Sequence, residues 1–153
     1  MVRIHQVQQE KRRFLPLLLL GDEQESMIDR YLDRGDLYCL YEGDKLQSVA
    51  VVTMEAPDIC ELKNIATNPK SQRKGYGRML LDFLCRRYAD RCTWMLVGTG
   101  DSPLTLPFYQ SCGFTVSHRV PNFFLQYDHP IFEAGRRLVD MVYLRKRLAE
   151  VER

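Results

Sequence analysis

The sequence lacks an apolar run that approaches the length of a membrane span. The longest, residues 14–20, is interrupted by Pro16, whereas a transmembrane helix needs roughly 20 apolar residues. Basic residues precede this run, but Gly21, Asp22 and Glu23 follow it instead of a small-residue cleavage site. We therefore expect a buried first helix and not a secretory signal.

Paired cysteines and clustered histidines are also missing. The 5 cysteines include no C-x-x-C pair, and none of the 3 histidines lies at metal-ligand spacing from a cysteine. The sequence therefore predicts neither a disulfide framework nor a metal site. Free thiols are typical of a reducing compartment, so we expect a cytoplasmic protein.

Charge of one sign is not in excess. Lys and Arg number 22 against 20 Asp and Glu, a net charge of +2, and the basic residues are scattered among acids. This excludes the basic stripe that nucleic acid or an anionic membrane would select, and neither is expected as a partner. Hydrophobic residues make up 45% of the 153 residues, which is typical of one globular domain over residues 1–153.

Hydrophobic periodicity predicts alternating strands and helices. Strands are expected at residues 2–8, 36–41, 46–54, 58–67, 93–97, 114–120 and 138–144. Helices are expected at 11–20, at 26–35 with Ser26 as its cap, from residue 76 along an apolar face to Tyr88, and around 105–112. Successive strands followed by strand–helix alternation favour an α/β or α+β fold with a sheet of mixed direction.

A glycine-bearing turn separates the fourth predicted strand from the third predicted helix. It reads Gln72-Arg73-Lys74-Gly75-Tyr76-Gly77. Glycine lets the backbone approach a ligand closely and take positive φ angles, and a helix N-terminus presents unpaired N–H groups to an anion. Arg78 adds further positive charge. The turn is predicted to bind a pyrophosphate, the alternative being a strand-to-helix turn that merely needs glycine.

Two other phosphate-binding motifs are excluded at this turn. A P-loop requires G-x-x-x-x-G-K-[ST], which the sequence does not contain, and a dinucleotide fingerprint requires a third glycine where this chain has Leu80.

With this turn, the chain resembles the GNAT acetyltransferase superfamily. Residues 72–77 match the family's Q/R-x-x-G-x-G/A motif, residues 62–69 resemble its fourth strand, and residues 108–114 resemble its F-Y-x-x-x-G-F segment. The resemblance covers residues 46–118, and the first helices fall where the family has its substrate-side helices.

The resemblance implies a single-domain, mixed central sheet of about six to seven strands flanked by helices, with two parallel strands splayed around acetyl-CoA. The backbone of Ile65, Ala66 and Thr67 would hold the pantetheine arm. The turn from Gln72 to Gly77 would hold the pyrophosphate with Arg78; its residues are Gln72, Arg73, Lys74, Gly75, Tyr76 and Gly77. Ser102 stands where many members have a cofactor-contacting asparagine, and it is expected to cap the next helix or donate a hydrogen bond.

The implied reaction is direct transfer of acetyl from acetyl-CoA to a primary amine, without a metal. Tyr109 occupies the family's tyrosine position and is the expected general acid for the leaving thiol, or else a buried aromatic beside Phe108. Glu61 occupies the position of a catalytic glutamate and is the expected base. Strand alternation would place it on one face with Lys63 and Ile65, and a water could relay the proton. The alternatives are a surface ion pair and, as in some family members, water and backbone without a single basic residue.

The acceptor is less defined by the sequence. The acidic residues Asp22, Glu23, Glu25 and Asp29 suggest either a pocket for a polycationic amine or a solvated loop. Asp128, His129, Glu133 and Asp140 also fall near the expected acceptor side, and Asp140 is unusual within an apolar strand. A catalytically silent acyl-CoA-binding module or sensor is the alternative to an enzyme, and a homodimer is left open.

Overall fold

One sheet of 7 strands runs through the chain in this computed structural model, which describes residues 1–148. The strands are β1 (Val2–Val7), β2 (Asp36–Glu42), β3 (Lys45–Ala56), β4 (Ile59–Thr67), β5 (Trp94–Gly100), β6 (Thr115–Val120), β7 (Phe132–Glu133), β8 (Arg136–Arg137) and β9 (Met141–Arg147). The helices are α1 (Leu15–Gly21), α2 (Glu25–Ile28), α3 (Tyr76–Tyr88) and α4 (Leu106–Ser111). Within residues 1–148, no helix is long and apolar enough to cross a membrane.

The sheet has the order β1-β2-β3-β4-β5-β9-β6, and β7 and β8 form a separate small hairpin. Its neighbouring strands are antiparallel except for β4 and β5, which are parallel. This mixed sheet with flanking helices confirms the predicted fold class.

The two parallel strands separate partway along their length. Their pairing runs from Ile59–Trp94 to Leu62–Val97 and stops there, although β4 continues to Thr67 and β5 to Gly100. The sheet therefore opens between β4 and β5, and the carboxyl ends of both strands expose backbone groups that do not pair with each other.

Helices cover both faces of the sheet around this opening. The amphipathic α3 buries Leu80, Leu84 and Tyr88 on one face in a core shared with β4, β5 and β9. On the other face, Leu18 of α1 and Ile28 of α2 belong to a core shared with β2 and β3. Burial of both faces fixes the register of the central strands, and thereby the position of the opening.

A β-bulge in β4 reverses the alternation of its side chains. Val51 pairs with Asn64 and Val52 with Leu62, so Lys63 is an extra residue in β4. Asn64 then donates a hydrogen bond to the α1 backbone at Leu18, while Ile65 packs against the core on the α3 side. The expectation that Ile65 shares a face with Glu61 and Lys63 is therefore wrong, because simple alternation does not continue across a bulge.

The predicted N-terminal helices are shorter and begin differently. A 3-10 turn at Lys11–Phe14 precedes α1, whose first turn contains Pro16. Ser26 is not the cap of α2, which begins after Gln24; Ser26 Oγ instead receives a hydrogen bond of 2.7 Å from the Gln24 side-chain amide.

The C-terminal strand begins later than residue 138. Asp140 precedes β9, and its carboxylate accepts a hydrogen bond of 2.9 Å from the backbone N–H of Asn122. Asp140 therefore connects two surface loops and does not interrupt an apolar strand. The short β7–β8 hairpin was not predicted, because strands of two residues carry too little periodicity.

Candidate active site

A cleft of about 600 Å³ lies at the opening between β4 and β5. Most of the predicted cofactor-binding residues line it, namely Ile65, Ala66, Thr67, Gln72, Arg73, Gly75, Tyr76, Gly77 and Arg78. Lys74 and Ser102 do not. The glycine-bearing turn and the separated end of β4 thus form two walls of one cavity.

The turn places the N-terminus of α3 at the cleft. Gly75 immediately precedes the helix with φ 85°, and Arg73 takes φ 70°. Among residues 1–148, no side chain caps this helix end at Gly75, so the first N–H groups are available to an anion.

The second glycine of the turn has a different role from the first. Gly77 does not take a positive φ, contrary to the expectation for both glycines; Arg73 adopts that conformation instead. A Cβ on Gly77 would lie 3.4 Å from Thr67 Oγ1 and 3.9 Å from Phe108 Cζ. Gly77 therefore keeps space open between the helix and the cleft walls.

Arg78 connects the two helices that border the cleft. Its guanidinium donates a hydrogen bond of 2.6 Å to Ser111 Oγ at the end of α4. The side chain remains exposed, as do Gln72, Arg73 and Lys74. The mouth of the cleft is therefore positively charged on the α3 side.

Tyr109 of α4 is buried where the cleft ends. Its ring makes edge contacts with Phe108 and Phe114 at centroid distances of 5.2 and 5.9 Å. Burial is the main cause that raises the pKa of Tyr109, followed by the nearby Cys112 thiol and Glu133 carboxylate. The hydroxyl therefore stays protonated well above neutral pH.

A second space, which we call the inner chamber, adjoins the cleft at Tyr109. It has a volume of about 280 Å³ and lies between the end of α1, β4, β5 and the segment 124–141. Four residues line both spaces: Leu20, Ile65, Thr105 and Tyr109. Two molecules bound in the cleft and in the inner chamber would meet at the Tyr109 side chain.

Glu61 does not line the inner chamber. It is buried beside a side cavity of about 200 Å³. Its carboxylate accepts a hydrogen bond of 2.8 Å from the Tyr143 hydroxyl and lies 3.2 Å from the ammonium of Lys63. Lys63 lines both the side cavity and the inner chamber, so it connects Glu61 with the space that contains Tyr109.

Ser102 supports the turn that leads into α4. Its buried Oγ accepts a hydrogen bond of 3.0 Å from the Leu104 backbone N–H. The helix itself begins at Leu106 after Thr105.

Sequence reasoning missed part of the inner chamber. Leu20, Phe124 and Tyr127 line it, and the last two belong to a small apolar cluster with Ile131 and Leu138. The aromatic spacing from Phe123 to Tyr127 was the available signal, but it lies outside the family motifs. Among residues 1–148, no group of three or more His, Cys, Asp or Glu side chains is placed to hold a metal ion.

Fold and site together define an α/β protein whose opened sheet holds a cleft with a cationic mouth and free helix N–H groups, next to a second chamber. The model of the acetyltransferase (GNAT) domain matches residues 33–116. The chain belongs to the GNAT acetyltransferase family.

Three relatives illustrate the family match. The chain is 36% identical over 146 residues to the N-acetyltransferase YvbK of Bacillus subtilis, covering 94% of each sequence. It superimposes with a TM-score of 0.91 on a GNAT family acetyltransferase from Elizabethkingia anophelis with acetyl-CoA bound, at 31% identity over 96% of this chain and 98% of the other. An acetyltransferase of Bacillus subtilis in complex with CoA gives a TM-score of 0.89 at 34% identity, covering 97% and 99%.

These matches confirm the predicted family, the splayed-sheet fold, the acetyltransferase class and acetyl-CoA as the cosubstrate of that class.

Proposed function

We propose that this enzyme transfers acetyl from acetyl-CoA in the cleft directly to a primary amine in the inner chamber, with Tyr109 as the general acid. The observation that carries the proposal is the position of Tyr109, which lines both spaces at their junction. A side chain there reaches the atoms of both substrates, as direct transfer without an acyl-enzyme requires.

The donor is proposed to bind to the backbone of two segments, the edge of β4 and the turn before α3. The edge of β4 at Ile65, Ala66 and Thr67 does not pair with β5 and would bind the pantetheine arm as an added strand would. The N–H groups of the turn from Arg73 to Gly77, with the Arg78 guanidinium, would bind the pyrophosphate. Gln72 and Lys74 are proposed to contact the donor from the exposed rim, and Ser102 to hold the α4 turn in place.

Proton transfer accompanies the exchange of bonds. The amine nitrogen forms a C–N bond to the acetyl carbon, the C–S bond breaks, and Tyr109 gives its proton to the departing sulfur. Burial raises the pKa of Tyr109, so the hydroxyl carries its proton at neutral pH, as a proton donor must. The amine must lose its own proton before attack, since a free amine has a pKa near about 10.

Glu61 is proposed to accept that proton through water rather than by contact. It lies in the side cavity and not in the inner chamber, so a direct transfer from the amine would require it to leave Lys63 and Tyr143. A water bridge along Lys63 connects the two spaces without such a movement.

Three further expectations, which concern cellular location, domain organisation and oligomeric state, are also proposals. A cytoplasmic location is supported by the 5 free, buried cysteines. A single domain over residues 1–153 is supported by a sheet that draws strands from Val2 to Arg147, whereas residues 149–153 lie outside the described part. A homodimer remains a prediction, which sedimentation equilibrium would test.

A screen of amine acceptors, read by free-thiol release from acetyl-CoA, tests the function. We expect release that depends on the amine and an acetylated product identified by mass spectrometry. A protein that binds CoA by calorimetry but releases no thiol with any amine would instead be the silent binder. A folded protein that binds neither CoA nor acetyl-CoA would contradict both.

A further inference from the structure

The inner chamber has an excess of negative charge. Asp22, Glu23 and Glu133 line it, whereas Lys63 is the one cationic lining residue among the described part of the chain. The Lys63 ammonium lies 3.2 Å from the Glu61 carboxylate, outside the chamber. Glu23 in turn lies 3.7 Å from the His129 imidazole, and the positive charge of Arg30 acts on Asp22. Because the Lys63 charge is matched at Glu61, Glu133 leaves the chamber with negative charge that attracts a cation.

Asp22 is held in place by a network of hydrogen bonds. Tyr127 donates to Asp22 Oδ1 at 2.7 Å and Tyr31 donates to Oδ2 at 2.9 Å. Asn64 Nδ2 in turn donates to Tyr31 Oη at 3.2 Å. The Gln24 backbone also donates a hydrogen bond to Asp22. A carboxylate offers about four acceptor sites, so Asp22 retains one for a ligand while its orientation is fixed.

A buried oxygen in the same wall has no partner. Asn64 Nδ2 donates to the Leu18 carbonyl at 3.0 Å, and since a carbonyl only accepts, this fixes the orientation of the amide. The other end of the amide, Asn64 Oδ1, is buried and has no hydrogen-bond partner among residues 1–148, and the residue as a whole is 4% exposed. Asn64 and its neighbour Gly21 both line the chamber, and a Cβ on Gly21 would lie 2.2 Å from this oxygen. This oxygen is thus closed off behind Gly21 and is not accessible from the chamber, so the polar contact that this wall offers a ligand is the Asp22 carboxylate.

Glu133 of the β7–β8 hairpin also lines the chamber. It forms no ion pair with any residue in the range 1–148. Together with burial and the Cys112 thiol, its charge contributes to raising the pKa of Tyr109. Within this range Glu133 is thus a carboxylate without an ion pair, and it lines the chamber together with Tyr109.

The rest of the chamber is apolar and aromatic. Phe124, Tyr127 and Phe132 line it with Ile131 and Leu138. Aromatic faces next to a carboxylate favour organic ammonium ions, because the ring face and the carboxylate both attract positive charge. A volume of about 280 Å³ is small for a ligand site, so the body of the ligand is compact.

The geometry points to a small monocationic amine with a compact apolar or aromatic body as the acceptor, whose ammonium is bound by Asp22 and Glu133. This inference rests on the proposed function and names its substrate class. A polycation is disfavoured because Glu25 and Asp29 are ion-paired with Arg12 and do not line the chamber. An amino acid is disfavoured because its carboxylate would face Asp22 and Glu133.

Four ligands that differ in charge test the substrate class on the unaltered enzyme. Binding to the CoA-saturated protein is measured by calorimetry for 2-phenylethylamine, phenylalanine, 2-phenylethanol and spermidine. We expect 2-phenylethylamine to bind at least about 10-fold more tightly than each of the others, a difference of ~1.4 kcal/mol. Equal or tighter binding of phenylalanine, the alcohol or spermidine would overturn the inference.

Three substitutions then test the named residues. Asp22→Asn and Glu133→Gln are each expected to raise KM for 2-phenylethylamine about 10-fold while changing the Kd for CoA less than about 2-fold. Glu25→Gln, from the same acidic segment but outside the chamber, is the control and is expected to leave both values unchanged. An unchanged KM in a folded Asp22 or Glu133 variant would refute that residue's role.

Further measurements distinguish a failure of this inference from misfolding of a variant and from a failure of the proposed function. Circular dichroism verifies that each variant is folded. If Asp22→Asn does not fold, Glu133→Gln and the four ligands decide the outcome. Glu133 forms no ion pair in the described structure, so its substitution is expected to leave folding intact. Thiol release with amino acids or polyamines, but not with arylalkylamines, would overturn the substrate class and leave the acetyltransferase function intact. Absence of CoA binding and of release with every amine would contradict the function itself.

Discussion

The cleft and the inner chamber are built in different ways, although they meet at one tyrosine. The cleft is formed by residues close in sequence, chiefly Ile65 to Arg78, and it presents backbone N–H groups at a helix N-terminus. The inner chamber joins the end of α1, two strands and the segment 124–141, and its central contact, Tyr127 to Asp22, spans 105 residues. A site made of local backbone leaves a motif in the sequence, whereas a site made of distant side chains does not.

This difference in construction also separates binding of the donor from binding of the acceptor. Backbone donors and a dipole recognise a pyrophosphate in any protein that presents them, so the cleft defines the donor and the family. Side chains on four segments can change independently, and the inner chamber is where our proposal places the acceptor. Substitutions in one space should therefore affect one substrate and leave the other unchanged.

The largest expected effect is the loss of donor binding in Gly77→Trp. A large side chain there would occupy the cleft between Thr67 and Phe108. We expect CoA affinity to fall at least about 100-fold, or ~2.7 kcal/mol, in calorimetry. Met79→Trp, on an exposed part of the same helix, is the matched control and should retain affinity. Undiminished binding by Gly77→Trp would show that the donor lies elsewhere.

Tyr109→Phe should affect turnover without affecting either binding step. Removing a general acid typically lowers kcat by about 100-fold or more, while the ring still packs against Phe108 and Phe114. Calorimetry should give a CoA affinity close to that of the unaltered enzyme. Tyr41→Phe, on β2 away from both spaces, should retain full activity.

The pH profile gives a second measure of Tyr109. Its pKa is raised in the folded enzyme, and the acid form is lost only as the pH rises through that raised value. The rate should therefore not decline through an ordinary tyrosine pKa near about 10. Full activity of Tyr109→Phe would make Tyr109 a packing residue only.

The smallest expected effect belongs to Glu61, which lies outside both spaces. Glu61→Gln should lower the rate by about 10-fold near neutral pH and flatten the acid limb of the pH–rate profile, because an amide cannot accept the proton. Glu55→Gln on the neighbouring strand β3 is the control. An acid limb that is unchanged in Glu61→Gln would exclude Glu61 as the base.

Periodicity in the sequence was sufficient to predict the fold class, and the resemblance to the GNAT family added the opening between the two parallel strands. Strand alternation and the apolar face of α3 reflect burial of whole elements, and the turn from Gln72 to Gly77 reflects a local backbone demand. Gly75 is the clearest example of such a local demand, because its left-handed φ is accessible to glycine at little cost.

The inner chamber was not predictable in the same way. The network around Asp22 depends on where the segment after β6 returns to α1, and no local pattern encodes that contact. No local pattern encodes the bulge at Lys63 either, because it is defined by the pairing of β4 with β3. Both features belong to tertiary structure, and the acidic residues Asp22 and Glu133 were visible in the sequence without an indication that they line one chamber.

The extra residue in β4 is separable from the pairing of the strand. Lys63 shifts all later side chains of the strand by one face, which brings Asn64 toward α1 and Ile65 toward the cleft. Because Lys63 is the residue of β4 that has no partner in the β3 register, deleting its codon would restore regular alternation and leave Asn64 and Ile65 on their present faces. Such a deletion would instead remove the ammonium beside Glu61, so the bulge adds one side chain to this region without changing the pairing of the residues that follow.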